Sequence, residues 1–106
     1  NSFDLATAWQ LRGELNWRAD RDGQAADLAF EHALGLASAH GTIVITVHVW
    51  AARAKMWAEQ GKAAEAAAQL AKVLGRLSRL EHAPGLPAVH ELLRSLKKTG
   101  RVKINE

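Results

Sequence analysis

The sequence predicts an all-α protein of about five helices, paired as antiparallel hairpins that stack on one another. Three observations lead there. Apolar residues recur three and four apart along most of the chain, the spacing that gathers them on one helical face. Breaks containing glycine or proline cut this pattern into lengths of one helix each. One helix–turn–helix unit then recurs about 40 residues later. The unit is clearest over residues 50–74. Trp50, Ala54 and Trp57 share a face, Gln60-Gly61-Lys62 breaks the helix, and Ala66, Leu70, Val73 and Leu74 stripe the next one. Its many alanines let two helices lie close. Such a hairpin has a buried face but no core of its own, so it needs a neighbour.

In chain order, residues 1–4 read as a lead-in from which Ser2 or Asp4 caps the first helix. Residues 5–19 form that helix, with Leu5, Ala8, Trp9, Gly13, Leu15 and Ala19 as its inward positions. Asp20-Arg21-Asp22-Gly23 is a turn. The second helix covers residues 24–39 and turns Ala26, Ala29, Phe30, Ala33, Leu34 and Ala37 inward. His40-Gly41-Thr42 closes it, with Gly41 as a left-handed cap and Thr42 capping the next element. Residues 42–49, T-I-V-I-T-V-H-V, are β-branched and would suit a strand. Ile43, Val47, Trp50, Ala51 and Ala54 nevertheless keep helical spacing, unbroken to Glu59, and one continuous third helix explains more residues. A fourth helix is expected over residues 62–80, where Leu77 and Leu80 extend the stripe. Pro84 and Pro87 around Gly85 forbid its continuation. A short fifth helix over residues 88–98 turns Val89, Leu92, Leu93 and Leu96 inward. Gly100 stops it, leaving residues 101–106 as a tail, either a short strand carrying Val102 and Ile104 or an unstructured end.

At 106 residues the chain is one domain, residues 1–106. Repeat one spans about 5–40, repeat two about 42–80, and a capping helix about 88–98. Hydrophobic residues make up 48%, which predicts folding rather than disorder. The absence of cysteine excludes disulfides and thiolate catalysis and fits a reducing cytoplasm. No apolar run approaches the ~20 residues of a membrane span, and no signal peptide is visible. A chain that starts at Asn1 and enters helix almost at once is expected to be a piece of a larger cytoplasmic protein. Charge is uneven. Residues 1–69 hold six Lys/Arg against eight Asp/Glu, and residues 70–106 hold eight against three, which together give the net +3. The basic C-terminal third could meet an acidic partner or nucleic acid. Solvated helix faces, with cations favoured near helix C-termini, account for it more simply.

Superposing the units makes the repeat explicit. Ala26, Phe30, Ala33 and Leu34 land on Ala66, Leu70, Val73 and Leu74 at an offset of 40. Trp9 and Gly13 land on Trp50 and Ala54 at 41. The difference is one extra residue in the first turn. This order of residues resembles the tetratricopeptide repeat in its long-helix variety. Trp50, Ala54, Trp57, Gly61, Ala66, Leu70, Val73 and Leu74 match that signature in the second unit, and Trp9, Gly13, Ala26, Phe30, Ala33 and Leu34 match it in the first. Asp20 or Arg21 stands where the turn glycine belongs, no proline closes either unit, and the spacing exceeds the usual 34 or so. The phrases L-R-G-E-L, A-F-E-H-A-L and A-E-Q-G-K-A-A-E-A, with E-L-L near the end, are similar to the helical tails of large bacterial regulators. These are ATP-dependent LuxR-type transcriptional regulators and predicted ATPases fused to nucleotide cyclase domains. The likeness covers residues 8–96. It implies an α–α superhelix used for protein interaction or ligand sensing, with ATPase, DNA-binding and cyclase work in other domains.

No phosphate-cradling GxxxxGK[ST] or GxGxxG occurs, nor HExxH. His32, His40, His48, His82 and His90 are scattered. His82 and His90 flank the proline loop but would need a third ligand to hold zinc. Glu14, Glu31, Glu59 and Glu65 fall on amphipathic helices, where carboxylates face water; acid–base work needs an apolar pocket. Ser38, Ser78 and Ser95 lack a nucleophile elbow. The expectation is a protein that is not an enzyme and uses no metal or cofactor.

Trp9 and Trp50, at matching positions, belong in the core. Trp17 and Trp57 lie nearer the helix ends that line an inner groove. With Arg18 and Arg53 beside them they form the candidate set for a protein or peptide segment, or another domain. The alternative partner is nucleic acid, through Arg94, Lys97, Lys98, Arg101 and Lys103, although no recognition helix or interleaved aromatics accompany that set. Terminal repeats expose faces suited to neighbours, so self-association as a symmetric dimer is expected in isolation.

Overall fold

Helix α1, Ser2–Asp20, pairs with α2, Gly23–Ala39; α3, Ile43–Glu59, pairs with α4, Ala63–Arg76; and α5, Leu86–Ile104, completes the order. The computed structural model describes residues 2–39, 43–76 and 86–104, and all of its regular elements are α-helices. The predicted all-α fold is the observed one. Each helix packs on the next, and α3 packs in addition on α1 and on α5. Among the described residues α1 does not meet α5, and α2 does not meet α4. The Cα envelope measures 46 × 36 × 17 Å. The short dimension is that of two helix layers about 8–10 Å apart.

The β-branched run beginning at Ile43 is helical, and its burial explains why. Ile45, Val49 and Met56 point into a core shared with Ala26, Phe30, Ala33 and Ala37 of α2. Val47 and Ala54 point into a second core with Ala66, Leu70, Val73 and Leu74 of α4 and Val89 and Leu96 of α5. A helix buried on two sides uses all these residues, and that tertiary gain outweighs a β propensity worth only about 1 kcal/mol across its whole scale.

The two hairpin turns are made by the same device with different residues. Gly61 has φ 84° and Arg21 has φ 52°, both in the left-handed region. In the second turn the N–H of Lys62 donates to Trp57 O at 2.8 Å and that of Gly61 to Ala58 O at 3.1 Å, a paired closure of the helix end. In the first turn the N–H of Arg21 donates to Trp17 O at 3.0 Å and that of Asp22 to Asn16 O at 3.1 Å. The outermost bond reaches back six residues in the first turn and five in the second, which locates the extra residue of the first unit. Asp22 then caps α2, its carboxylate accepting from Ala25 N at 3.0 Å.

Several boundaries differ from the sequence reading. The first helix starts at Ser2, not residue 5, so both candidate caps, Ser2 and Asp4, fall inside it. An aspartate in a first turn is favoured by the positive end of the helix dipole. Helix α5 starts at Leu86, with Pro87 in its first turn, where a missing N–H costs nothing. It also runs on to Ile104, so residues 101–104 are helix, neither strand nor unstructured tail. Gly100 does not stop it, because an interior glycine costs only about 1 kcal/mol relative to alanine. The caps placed at Gly41 and Thr42, and the fourth helix beyond Arg76, fall outside the described residues.

The inward face of α1 is also corrected. Ala6 and Gly13 are buried and Trp9 and Trp17 half-buried, whereas Leu5, Ala8, Leu15 and Ala19 are exposed. Helices α1 and α2 approach closely at Gly13, where an added Cβ would lie 2.9 Å from Phe30 Cε1. Phe30 is fully buried and cannot move aside. Gly13→Ala is therefore expected to destabilise by about 1–2 kcal/mol, overpacking outweighing the gain in helix propensity. Gly35→Ala meets open space at mid-helix and should stabilise by about 0.5–1 kcal/mol. Urea unfolding of both variants reads the contrast, and equal effects of one sign would refute it.

Candidate binding groove

The C-terminal halves of α1 and α3 and the middle of α5 converge on a solvent-open cleft of about 440 Å³. Helix α3 forms its floor with Ala52, Lys55, Met56, Ala58 and Glu59. Glu14, Trp17, Arg18 and Arg21 stand on one side, and Leu92, Ser95, Leu96 and Thr99 on the other. The arrangement arises from the hairpin stack, since chain-alternate helices share a layer and their ends flank one another.

One rim is cross-linked. The Trp17 indole Nε1 donates to Glu59 Oε2 across the α1–α3 boundary. Arg21 lies 5.0 Å over the Trp17 ring and 3.9 Å from the same carboxylate. Both ionic groups are exposed, so that pair contributes at most about 1 kcal/mol. Its effect is positional, because it fixes the indole edge and occupies Glu59. Arg18 and Lys55 have no ion-pair partner among the described residues. The cleft thus offers an indole, two cations and one carboxylate, Glu14, that form no ion pair among the described residues, and apolar surface from half-buried Leu92, over nearly buried Met56 and Leu96.

The candidate residues from the sequence separate into two places. Trp17 and Arg18 line the cleft. Arg53 and Trp57 lie on the side of α3 that meets α2 and do not join them. Arg53 is only 8% exposed. Its Nε donates to Asp27 Oδ1 at 2.8 Å and its Nη2 to Glu31 Oε1 at 3.3 Å. Its guanidinium lies 5.1 Å over Trp50 and 5.0 Å over Trp57, and the Trp57 indole also donates to Asp27 Oδ1 at 3.0 Å. These contacts join the two hairpins. Trp9 and Trp50 have related surroundings: each is half-buried and each carries an arginine three residues on over its ring, Arg12 at 5.7 Å and Arg53 at 5.1 Å.

Sequence reasoning missed Lys55 and Met56, and the repeat register places only the first of them, opposite Glu14 of the groove lining. At the 41-residue offset of Trp9 and Trp50, Glu14 maps onto Lys55, and Trp17 onto Ala58 rather than Trp57. One residue is about 100° of helix, enough to carry Trp57 off the groove.

On α5, Arg94, Lys97 and Lys98 are exposed, and Arg94 pairs with Glu91 at 3.3 Å. Arg101 and Lys103 continue the same helix. His32 stacks on Trp9 with centroids 4.2 Å apart, and His48 and His90 are exposed. Among the described residues no group of three His, Asp or Glu side chains is placed to hold a metal, and no helix is long and apolar enough to cross a membrane. Comparison with protein-family models, with curated proteins and with solved structures returned no match to this chain.

Proposed function

We propose that this chain is a non-catalytic interaction module whose groove receives an acidic segment of a partner protein that also carries apolar residues. The observation that carries the reading is the groove lining. Arg18 and Lys55, without an ion-pair partner among the described residues, stand beside Trp17 and Leu92; of the two lining carboxylates Glu59 is held by Trp17 and Arg21, so that with Glu14 alone uncommitted the cations are in excess. Cations over a hydrophobic floor suit carboxylates flanking an apolar anchor, with the charges setting orientation and the apolar contact most of the affinity. The resemblance of residues 8–96 to the helical tails of bacterial multidomain regulators supports a setting in which the module senses or scaffolds on behalf of other domains.

A fluorescein-labelled peptide alternating glutamate with leucine, and its lysine-for-glutamate counterpart, test this. The acidic peptide should bind, weaken with salt and change Trp17 fluorescence. The double variant Arg18→Glu/Lys55→Glu should bind at least tenfold more weakly with an unchanged melting curve. Equal binding of both peptides, or of neither, would refute the reading.

A further inference from the structure

The outer face of α1 is apolar and uncovered. Leu11 and Leu15 stand two residues either side of Gly13, about 160° round the helix from it, and Gly13 is pressed against α2. Both leucines are more than half exposed, as is Leu5, and Ala8 and Arg12 lie in the same strip. The 41-residue register shows what such a face is shaped to do. It maps Ala8, Leu11, Arg12 and Leu15 onto Val49, Ala52, Arg53 and Met56 of α3. There Val49 and Met56 are buried in the core shared with α2, and Met56 is 3% exposed where Leu15 is 60%. Arg53 is received by Asp27 and Glu31, four residues apart on α2. The likeness includes the indole, since Arg12 lies over Trp9 as Arg53 lies over Trp50. Helix α1 therefore carries, unfilled, the arrangement with which α3 grips an alanine-rich helix bearing two carboxylates.

We infer that the outer face of α1 docks a helix of a partner protein built like α2, with an alanine-rich face and two carboxylates one turn apart that receive Arg12. A second copy of this chain cannot supply that helix, because the matching face of its α2 is already covered by its own α3. The site is separate from the groove and does not depend on it.

The test uses the whole chain and a helical peptide of residues 22–39, stapled between positions 24 and 28, which are exposed in the chain. The peptide should bind one to one. Arg12→Glu or Leu15→Asp in the chain, or Asp27→Lys/Glu31→Lys in the peptide, should each weaken binding at least tenfold. The Arg12→Glu chain should regain affinity for the lysine-bearing peptide. The groove variant Arg18→Glu/Lys55→Glu should bind like the parent, so loss of the groove reading leaves this one standing. Absence of binding, or binding indifferent to Leu15→Asp, overturns the proposal. So does a dimer in sedimentation equilibrium that Leu15→Asp dissociates, which would give the strip to a second copy.

Discussion

Phe30→Ala is expected to cost about 3–5 kcal/mol, the range for removing a fully buried phenylalanine. The loss should lie at the upper end because collapse is blocked on one side. The ring rests on Gly13, which has no side chain to move into the void, and on a backbone held in helix. At about 4–8 °C per kcal/mol for a domain near this size, the melting temperature should fall by tens of degrees. A double-mutant cycle sharpens the claim. Gly13→Ala should destabilise the parent but be neutral or stabilising beside Phe30→Leu, which makes room for the methyl group. Additive effects would mean that the close approach of α1 and α2 is not limited by this ring.

Arg53→Ala should cost about 2–4 kcal/mol although it removes a polar group. Its loss leaves Asp27, two-thirds buried, with one donor, the Trp57 indole, and removes a guanidinium that lies over both the Trp50 and Trp57 rings. Arg53→Lys should recover only part of this, because an ammonium cannot serve both carboxylates in a fixed fork and lacks the planar face that a guanidinium presents to an indole. Chemical unfolding of Arg53→Ala, Asp27→Ala and the double variant gives the coupling, expected near 1–3 kcal/mol. Glu31, more than half exposed, should couple by under about 1 kcal/mol. A loss below about 1 kcal/mol for Arg53→Ala would show that the network orders the interface without stabilising it.

The outgoing helices were the legible part of the sequence, and the incoming ones were not. In α2 the inward positions read from spacing are buried, Leu34 excepted at half-buried, because that helix meets its neighbours over one continuous arc and keeps a polar remainder. In α1, apolar residues ring the helix: one side meets α2 and the other carries the leucine strip. Periodicity alone cannot rank two apolar sides, so Leu5 and Leu15 read as inward. Helix α3 is covered on both sides, and the second cover, through Ile45, Val49, Arg53 and Met56, had no place in a one-face pattern. The groove was half legible for the same reason. Trp17 and Arg18 come from position in the hairpin, and the 41-residue offset places Ala58, Glu59 and Lys55 opposite Trp17, Arg18 and Glu14, whereas Met56 answers to outward-facing Leu15 and enters the lining only because α3 is covered on both sides. The left-handed Arg21 was readable only as the equivalent of Gly61, since arginine carries no local preference for that backbone.

The two flanks of the groove, α1 and α5, both pack on α3, and among the described residues they do not meet each other. Its width is therefore set by how α1 and α5 tilt on a shared spine, and each tilt is resisted by the core that the flank shares with α3 and by its hairpin partner, α2 or α4. Any widening on the α1 side would load the Trp17–Glu59 clasp first, since that bond spans the α1–α3 boundary.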